Sequence, residues 1–149
     1  MYNKILIPTM GKYMEQLIDH AINFIDGRDA EIIALYVVDD SVPFLTPQTV
    51  KDEMIEELKL RGGYFLDKFE ELIDLEDKPN ISLKKVLKKG KPNEIIVDFA
   101  KEKNVEIIIL GTGKNIIDKH ILGSVSEKVV HHAPCDIFLV RTVDNEFTG

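Results

Sequence analysis

The sequence has little cysteine: Cys135 is the only one in 149 residues. A single thiol excludes a disulfide within the chain, and no cysteine and histidine spacing matches a zinc site. The sequence also lacks a charged leader followed by a long apolar segment, and no apolar run reaches the length that spans a bilayer. We therefore expect a cytoplasmic protein in a reducing compartment, with no metal site and no membrane contact.

An excess of basic charge is also missing. Lysine and arginine number 19 against 26 acidic residues, which gives a formal net charge of −7. Non-specific binding to nucleic acid depends on a clustered basic surface, so we expect no nucleic-acid partner. The local basic stretch from Lys84 to Lys91 is interpreted as the solvated end of a strand and its turn.

Motifs of known catalytic sites are absent as well. The sequence has no Gly-x-Ser-x-Gly elbow and no Gly-x-x-x-x-Gly-Lys-Ser/Thr loop. The histidines His120, His131 and His132 have no carboxylate or cysteine at ligand spacing, and the pair at 131 and 132 is placed at a helix end. We therefore predict no catalytic residue, and an enzymatic activity is not expected beyond weak hydrolysis of a bound ligand.

Short apolar runs alternate with segments of helical periodicity along the whole chain. The runs at 4–7, 30–38, 81–87, 106–110 and 137–140 predict strands, and the segments at 13–26, 50–74, 94–103 and 124–132 predict helices. Nearly continuous apolar strands separated by helices indicate a parallel sheet that is covered on both faces. The expected fold class is α/β: one domain over 1–149, with an open five-stranded parallel sheet, helices on both faces and strand order 3-2-1-4-5.

Two glycine turns surround the fourth strand and the last helix. Gly111-Thr-Gly113-Lys114 ends the strand, and Gly123-Ser-Val-Ser126 opens the helix. Glycines let main-chain amides approach phosphate oxygens, and a helix start attracts anions. In the predicted strand order the winding reverses between the first and fourth strands, so Pro8-Thr9-Met10 meets the same crevice. The pattern predicts a phosphate cradle and hence a nucleotide.

The whole chain resembles the universal stress protein family. Three segments carry the resemblance: Tyr2-Asn-Lys-Ile-Leu-Ile-Pro-Thr9, Gly90-Lys-Pro-Asn-Glu-Ile95, and Gly123-Ser-Val-Ser-Glu-Lys-Val-Val-His-His-Ala-Pro-Cys135. The resemblance implies a stress-response regulator that binds ATP or a related adenine nucleotide, with Mg or Mn as the candidate accompanying ion. It also implies a homodimer that pairs through the last strand, residues 137–143, and reports to a further signalling partner.

The resemblance also assigns roles to individual residues. It implies an adenine pocket lined by Pro8, Thr9 and Val37. It implies phosphate contacts from the two glycine turns, namely Gly111, Gly113, Lys114, Gly123, Ser124, Val125 and Ser126.

The sequence departs from the ATP-binding pattern of that family in two places. The pattern is Gly-x-x-Gly, nine residues and Gly-Ser/Thr, whereas Gly111 lies only two positions before Gly113. Met10 stands where the family usually has an acidic residue near the nucleotide. Loss of one buried polar contact costs about 1 to 3 kcal/mol, a roughly five- to hundred-fold loss of affinity. Two alternatives are therefore a nucleotide-free dimeric scaffold and a slow ATPase.

Overall fold

The computed structural model describes residues 3–112 and 122–143, which form five strands and four helices. The strands are β1 (Lys4–Pro8), β2 (Ala30–Asp39), β3 (Ile81–Gly90), β4 (Ile107–Gly111) and β5 (Asp136–Val140). The helices are α1 (Met14–Ile25), α2 (Gln48–Leu75), α3 (Pro92–Glu102) and α4 (Ser124–His132). Within these ranges, none of the helices is both long and apolar enough to cross a membrane.

The strands form one parallel sheet in the order β3-β2-β1-β4-β5, which confirms the predicted fold class and strand order. Strand and helix alternate because each strand is a short run of β-branched or other apolar residues and each helix carries apolar residues on one face. In α1, Met14, Leu17, Ile18, Ala21 and Ile25 are buried. The helix ends where Asp26 and Gly27 take left-handed backbone angles.

Two cores lie on opposite faces of the sheet. One contains the buried residues of α1 and α2, such as Ile18 and Phe69. The other contains Ile96 and Phe99 of α3 and Val129 of α4. The helices therefore cover both faces, with α3 and α4 together on the second, and both helices start at the carboxyl ends of the strands.

Several boundaries differ from the predicted ones. Helix α2 runs without interruption from Gln48 to Leu75, and β3 extends to Gly90 because it pairs with β2 along its whole length. Ser124 and Glu127 have the sequence spacing of a capping box, which predicts that Ser124 is the N-cap of α4, and this prediction was wrong. Gly123 is the N-cap of α4, Ser124 is already helical, and no side chain caps this helix start.

Strands β1 and β4 are neighbours in the middle of the sheet, but they pair over only part of their length. Pairing between them covers only Ile5 with Ile107 and Leu6 with Ile108, whereas the pairing of β1 with β2 continues to Pro8 and Leu35. The two strands thus separate toward their carboxyl ends. We name the boundary between these two strands the β1/β4 seam. An open α/β sheet binds its ligands at the carboxyl ends of the strands on either side of such a seam.

Candidate functional site

The end of β1 leads into a loop that is tied down at Thr9. Its amide donates to the Leu35 carbonyl at 2.9 Å, and its hydroxyl accepts the Gly11 amide at 3.2 Å. Thr9 is buried, whereas the Met10 side chain is 70% exposed. Met10 therefore points to solvent and does not fill the crevice.

Across the seam, the end of β4 meets the start of α4. The Gly123 amide donates to the Thr112 carbonyl at 2.7 Å, and the Ser126 hydroxyl donates to the Gly111 carbonyl at 2.9 Å. These two bonds, which we name the β4–α4 clasp, hold the residues on either side of segment 113–122. The described part of the first predicted glycine turn, Gly111 and Thr112, therefore lies next to the second turn at Gly123.

The clasp uses some of the hydrogen-bond donors at the start of α4 and leaves others available to a ligand. The Gly123 amide and the Ser126 hydroxyl already have acceptors within the protein. The first helical bond of α4 runs from the Glu127 amide to the Gly123 carbonyl, so the amides of residues 124–126 have no acceptor in the helix. Those three amides, at the positive end of the helix dipole, are the donors that α4 offers to an anion.

Gly111, a predicted phosphate contact, also packs closely against the chain that follows β5. A side chain at this position would place its Cβ 3.0 Å from the Thr142 Cγ2 atom. Thr142 is buried after β5, and its hydroxyl lies 3.3 Å from the hydroxyl of Thr112. No pattern in the sequence predicts this threonine pair, because it joins segments that are close only in the folded sheet.

A cavity of about 230 Å³ lies between the starts of α3 and α4. We name it the α3/α4 cavity. Its walls come from three segments: Asp39 and Ser41 after β2, Lys91 to Glu94 at the start of α3, and Ser124, Val125 and Lys128 in α4.

The predicted adenine wall is on the same face of the sheet as this cavity. Val37 packs against the core that α3 and α4 cover, as does Leu6 of β1. Side chains alternate along a strand, so Pro8 is on the face of Leu6. The structure thus puts Pro8 and Val37 on the α3/α4 side, next to the start of α4.

Not every predicted residue is gathered in the α3/α4 cavity. Ser124 and Val125 line it, whereas Pro8, Thr9, Val37, Gly111, Gly123 and Ser126 are not part of its walls. Gly113, Lys114 and His120 lie outside the described residues. Sequence reasoning missed Lys91, Asn93 and Lys128 as wall residues. The segment Gly90-Lys-Pro-Asn-Glu-Ile95 was the signal, because it places a lysine just before a helix that begins with proline.

A larger hollow, about 770 Å³, lies at the opposite end of the sheet. Its walls include Arg28, Glu31 and Asn80, and none of the predicted site residues. Parallel α/β sheets bind ligands at the carboxyl ends of their strands, so we place the candidate site at the α3/α4 cavity and the β1/β4 seam despite the smaller volume there.

Among residues 3–112 and 122–143, no group of three or more His, Cys, Asp or Glu side chains is placed to hold a metal ion. His131 and His132 are exposed in the last turn of α4, as expected. Burial, with a smaller contribution from the charge of Asp136, raises the pKa of the Cys135 thiol, which disfavours its reactive thiolate.

The comparisons with known proteins agree on a single family. The model of the universal stress protein family matches residues 1–141. A universal stress protein of Methanothermobacter thermautotrophicus is 54% identical over 143 residues, covering 96% of this chain and 98% of that protein. The two sequences therefore correspond over almost their full lengths.

Solved structures agree in fold. The universal stress protein UspA from Lactobacillus plantarum matches with a TM-score of 0.81 and 29% identity, over 94% of this chain and 98% of that one. A universal stress protein family protein from Arabidopsis thaliana with AMP bound matches with a TM-score of 0.65 and 19% identity, over 99% and 95% of the two chains. A universal stress protein in complex with cAMP gives 0.67 and 18%, over 95% and 98%. From its sequence and its fold, this chain belongs to the universal stress protein family.

Proposed function

We propose that this stress protein binds ATP or a related adenine nucleotide at the carboxyl ends of β1 and β4 and acts as a dimeric sensor. One observation supports the proposal: the β4–α4 clasp holds Gly111 and Thr112 of the first glycine turn beside Gly123, at a helix start that has no side-chain cap. Two structures of this fold hold AMP and cAMP, so the architecture accommodates an adenine nucleotide.

The binding roles follow from the position of each group. The adenine ring is assigned to Pro8 and Val37, whose apolar side chains share one face of the sheet, with Thr9 beside them. The phosphates are assigned to the amides of Ser124, Val125 and Ser126, with Gly113 and Lys114 as predicted contacts. Gly111 and Gly123 contribute by shaping the two turns, since Gly111 packs on Thr142 and the Gly123 amide is bound within the protein.

The chemistry of the site favours holding a nucleotide over cleaving it. Phosphoryl transfer needs a group that orients the attacking water and cations that are held by carboxylates. Met10 is exposed at the position where a carboxylate would approach the nucleotide. We therefore propose binding with at most weak ATP hydrolysis, and Mg or Mn as the ion that accompanies the phosphates.

The experiment compares the unaltered protein with Ser124→Asp in thermal shift and calorimetric titration with ATP and GTP. Aspartate in the first turn is favourable to a helix, so this variant keeps the fold while its carboxylate repels phosphate. Thr49→Asp is the matched control, because it adds the same charge to the first turn of α2. We expect ATP, but not GTP, to raise the melting temperature of the unaltered protein and of the control, and to leave Ser124→Asp unchanged.

A second candidate is a nucleotide-free dimeric scaffold with the same fold. The observations that favour it are Met10 in place of an acid and the Gly123 amide that is already bonded to Thr112. Titration of the unaltered protein to millimolar ATP, with neither heat nor a melting shift, would overturn the sensor and leave this scaffold.

A further inference from the structure

We propose that the turn after β2 and the first turns of α2 form a docking surface for a basic amphipathic segment of a partner protein. We name it the 44–54 surface. Its exposed apolar side chains are Phe44, Leu45, Val50 and Met54, and its acidic side chain is Glu53. The surface shares no residue with the proposed nucleotide site, so this inference goes beyond the proposed function and does not depend on it.

The turn presents two large apolar side chains to solvent. Phe44 and Leu45 are 98% and 87% exposed. A hydrogen bond from the Thr46 amide to the Pro43 carbonyl, at 2.9 Å, closes the turn, and Pro47 follows as the N-cap of α2. Proline fixes its own φ angle, so the two prolines restrict the backbone on either side. Apolar residues scattered singly over a surface are ordinary, whereas exposed apolar residues that adjoin one another mark interaction surfaces.

The start of α2 adds two more apolar side chains to this surface. Val50 and Met54 are both exposed, and they lie on the same side of the helix because they are four residues apart. The next residue, Ile55, is the one that is buried in the core between α2 and the sheet. The 44–54 surface is therefore apolar area that the described part of the protein leaves uncovered.

The charge around these side chains determines which partner fits. Residues 39–57 contain six acidic residues and one lysine. Glu56 and Glu57 are used in ion pairs within α2, whereas Glu53 forms no ion pair in the part of the chain that the structure describes. Glu53 is three residues after Val50, so the two lie on the same side of α2. An apolar surface with acidic surroundings complements a segment that is apolar on one face and basic on the other.

The same charge argues against two other occupants. A second copy of this chain, related by a two-fold axis, would bring the surface against itself, so that acidic residues would face acidic residues. A membrane that contains anionic lipid would also repel the carboxylates around the apolar side chains. A basic amphipathic segment is the occupant that buries the apolar area and neutralises the charge.

The test is fluorescence anisotropy with two labelled helical peptides, one made of leucine and lysine and one in which glutamate replaces every lysine. Leu45→Ser is compared with the unaltered protein and with Leu75→Ser. The latter is the matched control, because Leu75 is 80% exposed and lies at the other end of α2. We expect the basic peptide to bind the unaltered protein and the control alike, and Leu45→Ser roughly tenfold more weakly. The acidic peptide should bind none of them.

A second pair of variants tests the charge. Glu53→Gln should weaken binding of the basic peptide roughly threefold, because it removes one exposed carboxylate from the surface. Glu102→Gln is the matched control, since it removes an exposed carboxylate at the end of α3, on the opposite face of the sheet. Added salt should weaken the binding to the unaltered protein, because it screens exposed charges. Thermal denaturation of each variant checks that the fold is kept.

The outcomes separate the possible occupants. Failure of the basic peptide to bind the unaltered protein, equal binding of the two peptides, or a Leu45→Ser variant that binds like Leu75→Ser would overturn the proposal. Binding to vesicles of phosphatidylcholine and phosphatidylglycerol that Leu45→Ser abolishes, without peptide binding, would assign the surface to a membrane instead. A dimer that Leu45→Ser abolishes would assign it to a second copy. Each of these results leaves nucleotide binding intact, because calorimetry with ATP measures it separately.

Discussion

Two adjacent glycines in α2, Gly62 and Gly63, have very different surroundings. A Cβ at Gly62 would lie 2.6 Å from Tyr36 Cδ1 and 2.9 Å from Leu87 Cδ1. At Gly63 no atom lies within 4 Å of that position. Gly62 therefore lets α2 approach β2 and β3 closely, whereas Gly63 has no such role and only lowers the helix propensity of its turn.

The same substitution should thus have opposite effects at the two positions. Gly63→Ala is expected to raise the free energy of unfolding by about 0.5 to 1 kcal/mol, because alanine is the better helix former. Gly62→Ala is expected to lower it by about 1 to 3 kcal/mol, since the methyl group overpacks against Tyr36. Urea denaturation of both variants gives the measurement. Changes of equal sign would contradict the close contact.

At this scale the sequence predicted the kind of residue but not its environment. A glycine pair inside a predicted helix indicates either a weak point or a close-packing site, and the structure divides these roles between Gly63 and Gly62. The division depends on the rotation of α2 against the sheet, which the chain-local pattern does not contain. For the same reason, the sequence did not indicate that the Ser126 hydroxyl donates to the Gly111 carbonyl, so that the Ser126 amide is the group left for the predicted phosphate contact.

Among the elements, α1 is hydrogen-bonded to the chain after β5 through the side chain of Gln16. The Gln16 amide nitrogen donates to the Val143 carbonyl at 2.6 Å, and the Val143 amide donates to the Gln16 Oε1 atom at 3.0 Å. The side chain thus pairs with the main chain in the way that a neighbouring strand would. It satisfies both groups of a partly buried residue at the end of the described segment.

Gln16→Met removes both hydrogen bonds while keeping a side chain of similar length. We expect the free energy of unfolding to fall by about 1 to 3 kcal/mol, because two partly buried main-chain groups lose their partners. The control is Gln48→Met, whose amide contacts only the exposed Asp52, and which should change stability by less than about 0.5 kcal/mol. Equal losses in the two variants, measured by thermal denaturation, would argue against this pairing.

The positions of strands and helices could be predicted from the sequence because burial on two faces leaves continuous apolar runs, and burial on one face leaves a helical period. The contacts between these elements could not be predicted from the sequence. The lysines of β3 were interpreted as solvated, yet Lys85 binds Asp67 and Glu70 of α2 at 3.0 and 2.9 Å. Hydrogen bonds to these carboxylates, Glu70 first, raise the pKa of Lys85. The capping box failed because the Gly123 amide is bound to Thr112 across the sheet end.

For the whole molecule, the two edges of the sheet differ in their chemistry. Strand β3 forms one edge and carries four lysines, which discourage the addition of another strand. Strand β5 forms the other edge with the sequence Asp-Ile-Phe-Leu-Val and no lysine. We propose that a second copy of the chain pairs along β5 and residues 141–143, the segment predicted as the dimer surface.

A charge on β5 should therefore separate the two copies. Leu139, 38% exposed on this edge, is changed to glutamate, and Leu60, 76% exposed on α2, is changed in the same way as the control. By light scattering after size exclusion we expect a dimer for the unaltered protein and for Leu60→Glu, and a monomer for Leu139→Glu, because like charges would face each other across the two-fold axis. A monomeric unaltered protein, or a dimer that survives Leu139→Glu, would exclude pairing at this edge.

The β4–α4 clasp connects the end of β4 to the start of α4. Thr112 and Gly123 are bonded to each other, and Ser126 holds the strand end, so the sheet and its last helix are connected directly by two hydrogen bonds. We therefore expect the fold to tolerate replacement of the peptide 113–122. Chimeras that receive residues 113–122 from a relative should bind the small molecule that the relative binds and keep the fold of this chain. Ligand choice in the family can therefore diversify through changes in one segment.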